Sequence, residues 1–183
     1  ASVKEARELL EELNLLDEAF AEKMPLSPLH WMIADKEECI IMECIQDGIH
    51  IYENPYGVLT NNPPFPYYQM HLNNYLNLSS ENPKNGFAPE IPLNTYGQGM
   101  GAIGLPGDYS PASRFVKAAY LKWNSRSSEE ENANVSQFFH ILDGVSMVRG
   151  SVITPEGRED ITTYSCCINA DQGIFYYKTY DNN

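Results

Sequence analysis

Read for the spacing of its apolar positions, the chain divides into five stretches. They are a helical opening, a cluster of short strands, a long irregular middle, two helices and a closing hairpin. Ser2 and Glu5 form a capping-box signature, and Val3, Ala6, Leu9, Leu10 and Leu13 follow helical spacing against a charged face. Residues 15–29 keep large apolar groups (Leu16, Phe20, Met24, Leu26) without a period. Two readings stand for them, a loop packed on its own core or a wall of an apolar pocket. Three β-type runs follow at 30–34, 39–44 and 48–52, with turn-like residues between them. Connections this short predict an antiparallel meander. In 39–44 both alternating faces are largely apolar, which predicts a strand covered on both sides.

The short apolar run 57–60 predicts a further buried strand, stopped at once by Asn61-Asn62-Pro63-Pro64. Proline cannot donate to a strand ladder and biases the residue before it away from helix. A strand would thus deliver two carboxamides to a sharp corner, a place for a hydrogen-bond donor that must not move. Asn-Pro is also ordinary turn chemistry, and the pattern alone leaves both meanings open.

Beyond the corner the spacing predicts a helix near 67–76. Residues 79–93 are polar and proline-bearing without a period, too long for a simple connection, and are expected to form a functional or oligomerising excursion. Gly99, Gly101 and Gly104 match G-x-G-x-x-G, but Leu105-Pro106-Gly107 forbids the helix that a dinucleotide site requires. Close backbone approach in a tight loop is the expected role.

Ser110-Pro111 starts a helix whose core face is Phe115, Ala118, Ala119 and the stem of Lys122. Arg114 lies in its first turns, where the helix dipole prefers acids. A cation there invites a functional role or a partner carboxylate. A charged loop, 127–134, precedes a helix with the stripe Val135, Phe138, Phe139, Leu142 and Val145, which leaves His140 on the solvent side. The hairpin, 161–170 and 174–180 turned at 171–173, suits a sheet between two layers.

Composition narrows the function. The chain has 183 residues, 43% apolar and 20% charged, and a net charge of -13. That charge argues against nucleic acid and anionic membrane surfaces as partners, and no apolar run approaches the ~20 residues of a spanning helix. Cys39, Cys44, Cys166 and Cys167 fit neither a disulfide framework nor a zinc spacing, so a reducing cytosol is the expected location. The four histidines show no metal-binding spacing, and no nucleophile elbow or carboxylate pair stands out. No metal or cofactor is expected. Pattern and composition by themselves indicate an α+β domain with a conspicuous Asn61–Arg114 pair.

Five strings carry more. HWMIAD (30–35), NPYGVLTNNPPF (54–65), GLPGDYSPASRF (104–115), FFHIL (138–142) and YSCCINADQGIFYYKTYDN (164–182) resemble, in the same order, the choloylglycine hydrolase family of bacterial bile salt hydrolases and penicillin V acylases. The likeness is closest to the bile salt hydrolases. It implies the four-layered αββα sandwich of N-terminal nucleophile hydrolases, with residues 1–183 as the C-terminal part of a single domain. It implies hydrolysis of the amide bond of glycine- or taurine-conjugated bile acids by an N-terminal cysteine, and a cytoplasmic homotetramer. Such a thiol needs a base, and an α-amino group with a pKa of about 7.7–8 is suited to take its proton. Carried over by motif, Asn61 donates to the oxyanion of the tetrahedral intermediate and Arg114 lies near the nucleophile. Phe20, Met24 and Leu29 would line the steroid pocket. The chain departs from the pattern at its first residue, Ala1, and no cysteine lies near its start. The nucleophile is therefore expected to be absent from this chain, which by itself should be inactive. Penicillin V hydrolysis is the alternative within the family, and an inactive fragment that only binds a ligand or partner is the alternative outside it.

Overall fold

A computed structural model describes every residue except Ala1, Asp17, Phe20, Lys23, Met24, Pro25, Ser27, Pro28 and Asn183. Helices and strands are mixed, as the α+β reading expects. The chain forms two compact units, Ala1–His71 and Leu72–Asn183.

In the first unit Ser2 and Glu5 close the capping box at the head of α1 (Val3–Glu11). Asp35 accepts from Val3 N–H at 2.8 Å and so ties the helix start to the first strand turn. Only Val3 of the expected stripe is buried, while Leu9 and Leu13 are exposed. The meander is present as an antiparallel sheet in the order β1 (His30–Ala34), β2 (Cys39–Ile45) and β3 (Gly48–Glu53). In β2, Ile40, Ile41, Met42 and Glu43 are consecutive buried residues, so this central strand is covered on both faces. Register places His30, Glu43 and His50 opposite one another in one row.

The strand predicted at 57–60 does not form. Asn54, itself buried, donates from Nδ2 to the Val58 carbonyl at 3.1 Å and accepts from Gly57 N–H at 3.1 Å. Those are backbone groups that a strand would offer to a neighbour. Gly57 adopts φ 60°, a conformation open to glycine but costly for other residues. The run is instead a clamped turn that continues to the Asn61-Asn62 corner. The following helix, α2 (Phe65–His71), starts two residues earlier than the spacing suggests and tightens into a 3₁₀ turn at Leu72–Tyr75. Phe65 and Tyr68 are its buried residues.

In the second unit residues 79–93 contain no helix or strand, as expected. At Gly101 a Cβ would sit 1.9 Å from the Glu81 carbonyl oxygen and 2.5 Å from that of Ser79, the close backbone approach expected of these glycines. Ser110 caps α3 (Pro111–Asn124), accepting from Ser113 N–H. Phe115, Val116 and Ala119 form its buried face. Lys122 is not part of it: at the end of the helix its ammonium turns back over the Trp123 ring, 4.9 Å from the centroid.

Helix α4 (Glu131–Asp143) begins inside the stretch predicted as loop. Its first turn is fixed by tertiary bonds instead of apolar spacing. Glu131 accepts from Asn169 Nδ2 at 2.6 Å and from the Tyr176 hydroxyl at 2.9 Å. Within the expected stripe Phe138 is exposed, and His140 is exposed as predicted. The hairpin β4 (Tyr164–Asn169) and β5 (Ile174–Thr179) lays one face on α4, where Lys178 meets Asp143 at 2.6 Å. Its other face, with Tyr164, Ile168, Phe175 and Tyr177, is exposed, so within this unit the sheet is covered on one side and not on two.

Candidate active site

Asn61 is exposed at the corner where the clamped turn meets α2. Its carbonyl oxygen accepts from the Tyr68 hydroxyl at 2.6 Å, so a buried side chain one helical turn into α2 pins the Asn61 peptide. The next bond, Asn62-Pro63, is cis. The Asn62 carboxamide lies 3.1 Å from His30 Nε2, and the other ring nitrogen of His30 lies 2.6 Å from a carboxyl oxygen of Glu43. Glu43 also accepts from Phe65 N–H with both oxygens, at 2.9 and 3.1 Å. The carboxyl group thus satisfies a backbone donor at the head of α2. Corner, helix start and first strand converge on one buried acid.

Arg114 stands half-buried in the first turns of α3 and donates from Nε to the Tyr109 carbonyl at 3.0 Å. It borders a cleft of about 220 Å³ together with Asp108, Lys117 and Asp143. Asp108, two residues before the cap, supplies the acid that the helix start prefers. Hydrogen bonds from the Ser110 hydroxyl, the Ser113 hydroxyl and the Ser110 N–H hold its carboxyl at about 2.

The expected site residues are therefore distributed. Asn61 belongs to the first unit and Arg114 to the second. Phe20 and Met24 lie outside the described residues. Leu29 is 56% exposed immediately before β1. None of the four cysteines is in a disulfide, and burial pushes the Cys167 thiol up, away from the thiolate that nucleophilic attack needs. Among the described residues no group of three His, Cys, Asp or Glu is arranged to hold a metal ion.

Sequence reasoning passed over Glu43, His30 and Tyr68. The signal for Glu43 was present: a single acid in the run Cys-Ile-Ile-Met-Glu-Cys, inside a strand expected to be covered on both faces. A charge at such a position is kept only with partners.

What this corner can do is present an amide whose backbone is held on both sides, a preorganised donor toward developing negative charge. The profile of the linear amide C–N hydrolases, choloylglycine hydrolase family, matches residues 1–183. Identity is 49% over 183 residues to a bile salt hydrolase/transferase of Lactiplantibacillus plantarum, covering 100% of the chain and 56% of the relative. It is 40% over 178 residues to a conjugated bile acid hydrolase of Lactobacillus acidophilus, covering 95% and 55%. Among solved structures, a mutant conjugated bile acid hydrolase from Clostridium perfringens matches with a TM-score of 0.87 at 39% identity, over 100% of the chain and 56% of its own. Penicillin V acylase from Agrobacterium tumefaciens matches with a TM-score of 0.70 at 19% identity, over 98% of the chain and 49% of its own, a likeness of fold. The chain spans about half the length of the relatives it matches.

Proposed function

Because the chain belongs to the choloylglycine hydrolase family of linear amide C–N hydrolases, we propose that it forms part of an enzyme that cleaves the amide bond of glycine- or taurine-conjugated bile acids. In this reading Asn61 donates its side-chain N–H to the oxyanion formed when a cysteine thiolate attacks the amide carbonyl. Arg114 lies beside that thiolate and favours its charged form. The nucleophile is assigned to no residue of this chain. Residues 1–183 contribute to one αββα domain, and Phe20, Met24 and Leu29 contribute to the wall that receives the steroid. The enzyme works as a cytoplasmic homotetramer without metal or cofactor. Among the described residues no helix is long and apolar enough to cross a membrane.

The observation that carries the catalytic reading is the corner. An exposed asparagine whose own carbonyl is bound by a buried tyrosine hydroxyl, and whose neighbour is bound by a histidine, is held more firmly than a turn requires. Fixed donors are effective because they need no reorganisation as charge develops, and losing one costs ~10²–10³ in turnover. The test is Asn61→Ala in a polypeptide of the relatives' full length that carries this sequence. Glycine or taurine release is followed at steady state. A fall of ~10²–10³ in kcat with a near-parental KM is expected. A folded variant within a few-fold of parental kcat would overturn the role.

A further inference from the structure

The corner contains a second layer that the reaction itself does not demand. His30 bridges two elements: one ring nitrogen faces Glu43 at 2.6 Å and the other faces the Asn62 carboxamide at 3.1 Å. Its side chain is 9% exposed and that of Glu43 is 1%. A solvated turn asparagine has no need of a buried histidine, and a buried acid at the head of α2 is already satisfied by Phe65 N–H. Joined together, these groups fix Asn62 relative to β1, β2 and α2. Asn61, one residue earlier, is fixed from its other side by the Tyr68 hydroxyl on its carbonyl.

We propose that His30, held by Glu43, is a positioning residue that sets the orientation of the Asn61 carboxamide through Asn62. The ring is suited to this because its two nitrogens point in opposite directions and both are engaged. Both nitrogens face oxygens, Glu43 Oε1 and Asn62 Oδ1, so a protonated ring donates to both and a neutral ring with its proton on Nε2 donates to Asn62. In either state the rotamer of Asn62 is tied through His30 to Glu43 on β2, the middle strand of the sheet. A rigid element thereby dictates where a loop residue points, as accurate transition-state contacts require.

The inference rests on Asn61 being the oxyanion donor, and the experiment separates the two. Asn61→Ala, His30→Phe and the double variant are made in a polypeptide of the relatives' full length, and kcat and KM are measured with a conjugated bile salt. Phenylalanine keeps the ring and removes both nitrogens. A misplacement of about 1 Å can cost ~10²-fold, so His30→Phe should lower kcat by ~10–100-fold with KM nearly unchanged. Because His30 acts through Asn61, the double variant should be no slower than Asn61→Ala alone. Losses that multiply in the double variant, or a parental kcat in His30→Phe, would overturn the positioning role while leaving Asn61 catalytic. A parental kcat in Asn61→Ala would overturn the underlying reading and the inference with it. Should His30→Phe not fold, Asn62→Ala breaks the same bond from its exposed side. There, a ~10–100-fold fall in kcat supports the role and a parental kcat overturns it.

Discussion

Replacing Glu43 by leucine should destabilise the first unit far more than replacing it by glutamine. The carboxyl group is 1% exposed, and leucine puts an apolar side chain in its place. The leucine variant leaves two donors behind, Phe65 N–H and His30 Nδ1–H. A buried donor without an acceptor costs ~1–3 kcal/mol. Phe65 is fully buried and meets that cost in full, while the His30 ring reaches some water and can move its proton to the other nitrogen. Their sum is about 2–4 kcal/mol, reduced somewhat because a carboxyl group no longer has to be stripped of water. Glutamine retains an oxygen for Phe65 N–H and can donate its amide hydrogen to the other tautomer of His30, so its loss should stay under ~1 kcal/mol. Trp31, in β1 opposite Met42, reports unfolding of this sheet by its fluorescence. With a urea slope of ~1–3 kcal/mol/M, the midpoint of the leucine variant should fall by roughly 1–2 M and that of the glutamine variant by less than about half of that. Equal midpoints for leucine and the parent, or equal losses for leucine and glutamine, would refute the view that Glu43 is held for its hydrogen bonds.

Two further outcomes test the second unit. Gly101→Ala would drive a methyl group into the Glu81 and Ser79 carbonyls, and backbone has to move to admit it. A drop of several degrees in the thermal midpoint is expected, from overpacking of ~1–3 kcal/mol, and an unchanged midpoint would mean that the loop has another arrangement. Asp108 has its pKa lowered from 3.8 to about 2, so the stability it contributes is fully present above pH ~4 and is lost as pH falls toward 2. The thermal midpoint of Asp108→Asn should therefore lie below that of the parent at neutral pH, with the gap closing between pH 4 and pH 2. A gap independent of pH would show that the carboxylate charge is not the cause.

The elements that were legible in the sequence are those whose signal is local. The capping box at Ser2 and Glu5, the cap-then-proline start at Ser110 and the turns of the meander each depend on residues within a few positions of one another. The errors fall where a distant partner decides. The apolar run 57–60 has strand composition, but Asn54 takes its backbone groups and a turn results. Residues 131–134 look like loop, yet two partners in the hairpin hold Glu131 in a first helical turn. Periodicity measures burial, so it is blind to helix turns that are fixed by polar contacts.

The candidate site divides along the same line. Asn61 and Asn62 were visible because prolines mark the corner that carries them, and Arg114 because it contradicts the helix dipole. The apparatus behind them was not, because it joins residues 13, 22 and 32 positions apart: His30 to Glu43, Glu43 to Phe65, and His30 to Asn62. No window the length of one helix or strand contains all four residues at once. The register His30↔Glu43 supplies the missing step, since two residues directly opposite on antiparallel strands share a face. Given that register, a lone acid inside a covered strand and a histidine across from it could be paired before any coordinates were known. The row continues to His50, but that ring turns instead to Asp47 at 2.8 Å and stacks on Tyr52. Of two histidines flanking one buried acid, only the one on the β1 side is tied to the corner. That asymmetry is what makes His30, and not His50, the residue to test.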